Sequence, residues 1–152
     1  MTPEFSRPLA LDRIRAGLTI TVEADATERA ALAARLGVPH LAALTCRFRL
    51  RPVSMGPGVR TGAGPRAGVV MAEGALRARV TQVSVVSLDE FEADVAEDFL
   101  VCFVPEDRET ADLDPESVDE MPYAGDAIDL GEAAAEQLAL ALDPYPRREG
   151  EE

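Results

Sequence analysis

Arginines at alternate positions are the residues of this chain best suited to bind a ligand. One group is Arg47, Arg49 and Arg51, and a second is Arg77 and Arg79. Alternate side chains on a strand share one face and lie about 7 Å apart, close to the spacing of successive phosphates in a nucleic-acid strand. Guanidinium groups also stack on unpaired bases. The spacing therefore predicts a basic sheet face that can follow a nucleic-acid backbone.

Carboxylates further along the chain give this face a second interpretation. Glu92 and Asp94 alternate with apolar residues, so they would also share one side of a strand. Across a sheet they could pair with the arginines, although surface pairs contribute only about 0–1 kcal/mol and would let RNA compete. No aromatic residues interleave with the arginines, as a single-strand platform would prefer. Nucleic-acid binding and simple ion pairing both remain open at this point.

Residues for catalysis or metal binding are scarce in the sequence. His40 is the only histidine, and the two cysteines, Cys46 and Cys102, are far apart. There is no CxxC, HExxH, GxSxG or P-loop pattern, and no GxGxxG between a strand and a helix. Carboxylates are numerous, but most lie in a segment too polar to exclude water from an acid–base site. We therefore expect no enzymatic activity, no metal and no cofactor, with His40 at the surface and both thiols buried.

Charge is divided unequally between the two halves of the chain. The net charge is −13, with 15 Arg, no Lys and 28 acidic residues. Residues 1–80 contain 12 Arg and 6 acidic residues, whereas residues 81–152 contain 3 Arg and 22 acidic residues. Such asymmetry is typical of proteins with a nucleic-acid or charged protein partner. The candidate binding face lies in the basic half.

An acidic segment follows the most apolar stretch of the chain. Nine acidic residues and almost no large apolar ones occur up to Asp126, which predicts a linker with little structure over residues 105–127. Three roles are open for it. It could only solvate the chain, attract a basic protein, or fold back over the arginines until RNA displaces it.

Hydrophobic periodicity predicts the strands that would position the arginines. Gly74 is expected to form a β-bulge, and residues 99–104, apolar throughout, to form the centre of the sheet. Residues 55–68, rich in Gly and Pro, are expected to form a flexible basic loop. The predicted strands cover residues 18–23, 46–51, 69–88, 91–95 and 99–104.

Two helices complete the predicted fold. Asp25 and Glu28 form a capping-box pattern before a helix that ends at Gly37, and Asp129 would cap a second helix that Pro144 ends. The length suits one domain over residues 1–152. We expect an α+β fold: a mainly antiparallel sheet, one helix after the first strand and a C-terminal helix, with a small, partly closed barrel as the alternative. No apolar run approaches the ~20 residues of a membrane span, so we expect a cytoplasmic protein without a membrane partner.

Four stretches, with a variable acidic segment before the last, carry a family resemblance. They read FSRPLALDRI (Phe5–Ile14), GALRARVTQ (Gly74–Gln82), FLVCFVPE (99–106) and IDLGEAAAEQLALALDPYPR (Ile128–Arg147). In this order they resemble the YceD family of large ribosomal RNA subunit accumulation proteins, and the likeness covers nearly the whole chain. The resemblance implies a non-enzymatic factor that supports accumulation of 23S ribosomal RNA and assembly of the large ribosomal subunit.

Partners and motif positions follow from this resemblance. The implied partner of the arginines is 23S ribosomal RNA or a pre-ribosomal particle, and the alternative is an acidic chaperone that shields a basic ribosomal protein. Arg79 and Gln82 are polar enough to be RNA contacts, whereas most other matching positions have structural explanations. Those other positions are Arg7, Pro8, Gly74, Thr81, Asp129, Leu130, Glu136, Gln137 and Leu138.

The sequence departs from the family pattern at one point. Many family members have a CxxC pair just after the strand that corresponds to 74–82, but this chain has Ser84 and Ser87 there. Hydroxyls do not replace thiolates as zinc ligands. We therefore expect any metal or redox role of those cysteines to be absent.

Overall fold

Two β-sheets and two α-helices make up the part of the chain that the computed structural model describes, residues 4–14, 17–52, 69–105, 119–142 and 146. The α+β class predicted from the sequence is confirmed. In chain order the elements are β1 (Pro8–Ala10), β2 (Leu18–Glu23), α1 (Ala26–Leu36), β3 (His40–Pro52), β4 (Val70–Val83), β5 (Glu90–Pro105), β6 (Asp119–Tyr123), β7 (Ala127–Asp129) and α2 (Leu130–Ala141).

The large sheet is open and has the strand order β2-β3-β4-β5-β6. Neighbouring strands are antiparallel except for β5 and β6, which are parallel. Because β2 and β6 are its two edges, the alternative of a partly closed barrel is wrong. The central strand is β4, so the prediction that residues 99–104 form the centre is also wrong, since only β6 lies beyond them.

Strand β5 combines two predicted strands into one. The sequence separates them at residues 96–98, yet these residues pair with β4 in an unbroken register. Further along β5, Val101 and Phe103 belong to the main core, whereas Cys102 and Val104 are buried on the opposite face. The continuous apolar composition there reflects burial of both faces, as predicted, although the strand is not central.

Strands β6 and β7 correct part of the predicted acidic linker. Residues 119–123 pair with the end of β5, and Met121 packs against the main core. Pro122 lies in this strand because an edge strand needs no second row of N–H donors. The acidic composition of the segment obscured these few apolar residues. The rest of the linker, residues 106–118, and the predicted basic loop at 55–68 lie outside the described residues.

Both helices pack against the same face of the large sheet. Helix α1 has the predicted capping box, in which the Glu28 N–H donates to Asp25 Oδ1 and the Asp25 N–H donates to Glu28 Oε1, each over 2.8 Å. It ends at Gly37, whose φ of 72° is the left-handed conformation that favours glycine. Leu32 and Leu138, one from each helix, are fully buried in the core. The other face of the sheet has no helix on it among the described elements.

The N-terminal segment is fastened to the start of α2. Strand β1 pairs with β7, Ser6 Oγ donates to Asp129 Oδ2 over 2.6 Å, and the Arg7 N–H donates to Asp129 Oδ1 over 2.8 Å. Phe5 is fully buried. Asp129 also accepts from the Glu132 N–H, which confirms its predicted role as the helix cap.

Within the described residues, neither helix is long and apolar enough to cross a membrane.

Gly74 does not form the predicted bulge. It pairs in continuous register with Phe48 on one side and Phe99 on the other, and the irregularity of the β3–β4 pairing lies at residues 41–43 instead. A Cβ at Gly74 would overlap the ring of Phe99, which contacts Phe48 edge-on with ring centroids 5.9 Å apart. The glycine is therefore explained by close approach of an aromatic ring.

Candidate nucleic-acid interface

The five predicted arginines lie together on the sheet face that the helices leave uncovered. Alternation along β3 and β4 directs them outward while their neighbours, such as Phe48 and Leu76, point into the core. In the β3–β4 register the residue opposite Arg77 is Thr45, so the arginines of the two strands do not lie directly opposite one another. We call this surface the arginine face, and its members are Arg47, Arg49, Arg51, Arg77 and Arg79.

The arginines on β4 are paired with carboxylates of β5. Arg79 Nε and Nη2 each donate to Glu92 over 3.2 Å, and its Nη1 lies 3.7 Å from Asp94. Arg77 Nη1 lies 3.5 Å from Asp98. The pairing that the sequence left open as an alternative is therefore present on this half of the face.

The arginines on β3 are much less compensated. Arg49 Nη1 lies 3.8 Å from Glu73 Oε2, and its side chain is 68% exposed. Among the described residues, Arg47 and Arg51 have no carboxylate within ion-pair distance. On the other side, β2 places the uncharged Thr21 opposite Arg47 and Thr19 opposite Arg49. The positive charge of the face is thus concentrated on β3.

Electrostatics within the face leave the ion pairs exchangeable. Hydrogen bonding to Arg79, and then its charge, lowers the pKa of Glu92, while hydrogen bonding to Glu92 raises the pKa of Arg79. Both side chains are about half exposed, so water and salt screen their attraction. An incoming phosphate can therefore replace a carboxylate here without leaving a buried charge behind.

Gln82 is not part of the arginine face. It is only 8% exposed and lies on the core side of β4, in phase with Leu76 and Val80. Gln82, predicted as an RNA contact together with the arginines, therefore lies on the opposite face of the sheet from them. His40, at the start of β3, is exposed as predicted.

Arg7 connects three parts of the structure. Its guanidinium donates to both carboxylate oxygens of Glu28 over 2.6 and 2.7 Å, and to the carbonyl oxygens of Ser6 and Glu23 over 2.7 and 2.9 Å. It also lies 4.8 Å from the ring centroid of Phe5. Arg7 is therefore explained by its structural contacts, and it does not lie on the arginine face.

Replacing Glu28 by Gln should destabilise the fold in a pH-dependent way. Hydrogen bonding to Arg7 lowers the pKa of Glu28, so the stabilisation is present above the ordinary pKa and is lost as the pH falls through the lower folded-state value. We expect urea unfolding to show a loss of about 1 kcal/mol at pH 7 that is smaller at pH 3. Glu136→Gln, which removes one charge from an exposed position of α2, is the control. An equal loss at both pH values would contradict the assignment.

The remaining motif positions lie mostly in the core or the backbone network. Pro8 pairs with Asp129 in the small sheet, and Leu130 and Leu138 are fully buried. Gln137 is nearly buried, whereas Glu136 is exposed. Thr81 lies on the outer face of β4, opposite Glu92.

Ser84 organises the turn that follows β4. Its Oγ accepts hydrogen bonds from the N–H groups of Val86 and Ser87, over 3.0 and 3.2 Å. This turn ends β4 at Val83, five residues before the predicted end.

Within the described ranges, no three His, Cys, Asp or Glu side chains are grouped so that they could hold a metal ion.

Both cysteines are buried, as predicted, and neither forms a disulfide. Burial raises the pKa of the Cys46 thiol to about 12. A thiol with that pKa is almost entirely protonated at neutral pH and reacts poorly, because the thiolate is the nucleophile. Cys46 therefore behaves as a small apolar core residue.

The sequence missed two carboxylates of the arginine face. Asp98 has the same alternation phase as Glu92 and Asp94, but it falls between the two predicted strands, 91–95 and 99–104. Glu73 is the residue opposite Arg49 on β4, and only the strand register reveals it. A continuous reading of the alternation from residue 90 onward would have identified Asp98.

Comparison with known protein families identifies a relationship over about half of the chain. A family model described as "Large ribosomal RNA subunit accumulation protein YceD" matches residues 72–152. The matched range begins within β4 and therefore includes Arg77 and Arg79, whereas the arginines of β3 precede it. No match was found among curated proteins or among solved structures.

Proposed function

Since the chain belongs to the YceD family of large ribosomal RNA subunit accumulation proteins, we propose that it binds 23S ribosomal RNA, or a pre-ribosomal particle containing it, through the arginine face. The protein then acts as a non-enzymatic factor in assembly of the large ribosomal subunit. Its site of action is the cytoplasm, where ribosomes are assembled. Residues 1–152 act as a single domain in this role.

One observation carries the proposal. Arg47 and Arg51 of β3 lie on a sheet face that no described helix covers, and neither has a carboxylate partner among the described residues. Together with Arg49 they form a row in which neighbouring arginines are about 7 Å apart, a spacing that suits successive phosphates. Phosphate contacts supply most of the affinity of nucleic-acid-binding proteins, so unpaired arginines contribute more than paired ones.

Ultraviolet crosslinking in cells, followed by sequencing of the attached RNA and identification of attached proteins, tests this function. We expect 23S ribosomal RNA to be the most enriched RNA, and we expect Arg47→Gln combined with Arg51→Gln to reduce that enrichment at equal protein level. Recovery of proteins without ribosomal RNA would overturn the proposal.

A basic ribosomal protein is the second candidate partner. The observation that favours it is the acidic outer row of β5, where the side chains of Asp94 and Asp98 are 79% and 82% exposed. An acidic surface can shield a cationic protein before its assembly. A pull-down with a variant in which Asp94 and Asp98 are changed to Ser separates the two candidate partners. Loss of a basic protein with retained RNA would favour the chaperone, and the reverse would favour RNA binding.

A further inference from the structure

A hollow of about 470 Å³ lies on the arginine face above Ala75. It exists because Ala75, a small residue on β4, is flanked by longer side chains, with Arg47 opposite it on β3 and Asp98 opposite it on β5. The outward side chains that line the hollow are those of Arg47, Arg49, Glu73, Ala75, Asp98 and Leu100.

The lining groups are segregated by strand. Guanidinium groups form the β3 side of the hollow, Asp98 and Leu100 of β5 form the opposite side, and Glu73 and Ala75 of β4 lie between them. A nucleic-acid strand has a matching division between an anionic backbone and bases with apolar faces and polar edges. The charges therefore favour a backbone that runs along β3, with its bases directed across the sheet toward β5.

Resting on the proposed RNA-binding function, we propose that this hollow receives one unpaired base of a single-stranded RNA segment whose phosphates contact the arginines of β3. The hollow has room for a base, and the planar groups of Arg47 and Arg49 can stack on it, so no aromatic side chain is needed. A base that is already paired in a duplex cannot enter, because its faces and edges are occupied.

The carboxylates at the rim give the hollow a preference among bases. Glu73 and Asp98 can only accept hydrogen bonds when ionised, so they suit a base with an exocyclic amino group. Cytosine presents such a donor at N4, where uracil has a carbonyl oxygen that the carboxylates would repel. The hollow therefore favours cytosine over uracil.

Fluorescence anisotropy with the full chain tests the hollow. The probes are 23S ribosomal RNA, oligo(C), oligo(U) and a mixed-sequence duplex, with each oligonucleotide about 12 nucleotides long. We expect oligo(C) to bind about tenfold more tightly than oligo(U) or the duplex. Ala75→Ile fills the hollow with a residue that strands favour, and it should weaken oligo(C) binding about tenfold and remove the preference for cytosine.

Ala96→Ile is the matched control for this variant. Ala96 lies on the same face and lines a second hollow, of about 380 Å³, whose arginines are already paired with Asp94 and Asp98. Its oligo(C) affinity should equal that of the wild type. If the wild type does not bind 23S ribosomal RNA, the proposed function fails. If it binds 23S ribosomal RNA but Ala75→Ile binds oligo(C) as the wild type does, or Ala96→Ile weakens binding equally, only the hollow is overturned.

Discussion

Changing Arg47 and Arg51 together to Glu should weaken binding of 23S ribosomal RNA about 100-fold at 0.1 M salt. The two guanidinium groups have no carboxylate partner among the described residues, so their charge is available to phosphates. Each lost phosphate contact also removes about one from the slope of log affinity against log salt concentration, and we expect a decrease of about two. Filter binding across a salt series measures both quantities.

Arg13→Glu is the control for the effect of net charge. Arg13 is exposed on the turn after β1, outside the arginine face, and its reversal changes the net charge by the same amount as Arg47→Glu. We expect Arg13→Glu to change the affinity by less than about threefold at 0.1 M salt, because distant exposed charges are screened. Equal losses for the two single variants would show that only overall charge matters and would argue against a defined interface on β3.

Gly131→Ala should reduce the free energy of unfolding by about 3 kcal/mol, because the added methyl group would overlap backbone atoms. Gly131 lies in the first turn of α2, and an added Cβ would lie 2.6 Å from the carbonyl oxygen of Phe5 and 2.9 Å from the nitrogen of Arg7. These are backbone atoms, so no side-chain rotation can relieve the overlap. The N-terminal segment would have to move away from the helix, which would weaken its hydrogen bonds to Asp129.

Gly37→Ala separates this steric effect from a conformational one. Gly37 has a positive φ, but an added Cβ would meet nothing within 4 Å. We therefore expect only the left-handed backbone penalty of about 1 kcal/mol for Gly37→Ala. Chemical denaturation of both variants provides the comparison. If Gly131→Ala is no less stable than Gly37→Ala, the N-terminal segment is not held against α2 as described.

Elements with local signals could be predicted from the sequence. The capping box of α1 needs only Asp25 and Glu28 three residues apart, and the outward direction of Arg47 and Arg49 follows from period-two alternation. The same alternation places the side chain of Gln82 on the core side of β4, because Gln82 is two residues from the buried Val80. The prediction that Gln82 contacts RNA rested instead on its polar side chain and on its match to the family pattern.

Features that depend on distant partners could not be predicted in the same way. Gly74 is required by the ring of Phe99, which only the β4–β5 register brings over it. Strand β6 joins the sheet by parallel pairing with β5, and its acidic sequence has no local pattern that predicts a strand. The arginines of β4 are ion-paired, whereas on β3 only Arg49 has an ion pair among the described residues, and this difference likewise depends on which carboxylates each strand meets.

The attachment of the N-terminal segment to Asp129 constrains the order of folding. Ser6 and Asp129 are 123 residues apart in sequence, and among the described strands β1 pairs with β7 alone. Contacts at such separation form late, because the intervening chain must first be brought together. During synthesis, the apolar surface of the segment containing Phe5 therefore stays exposed until β7 and α2 have left the ribosome. Nascent chains stalled before residue 127 should consequently leave this segment accessible to proteases and chaperones.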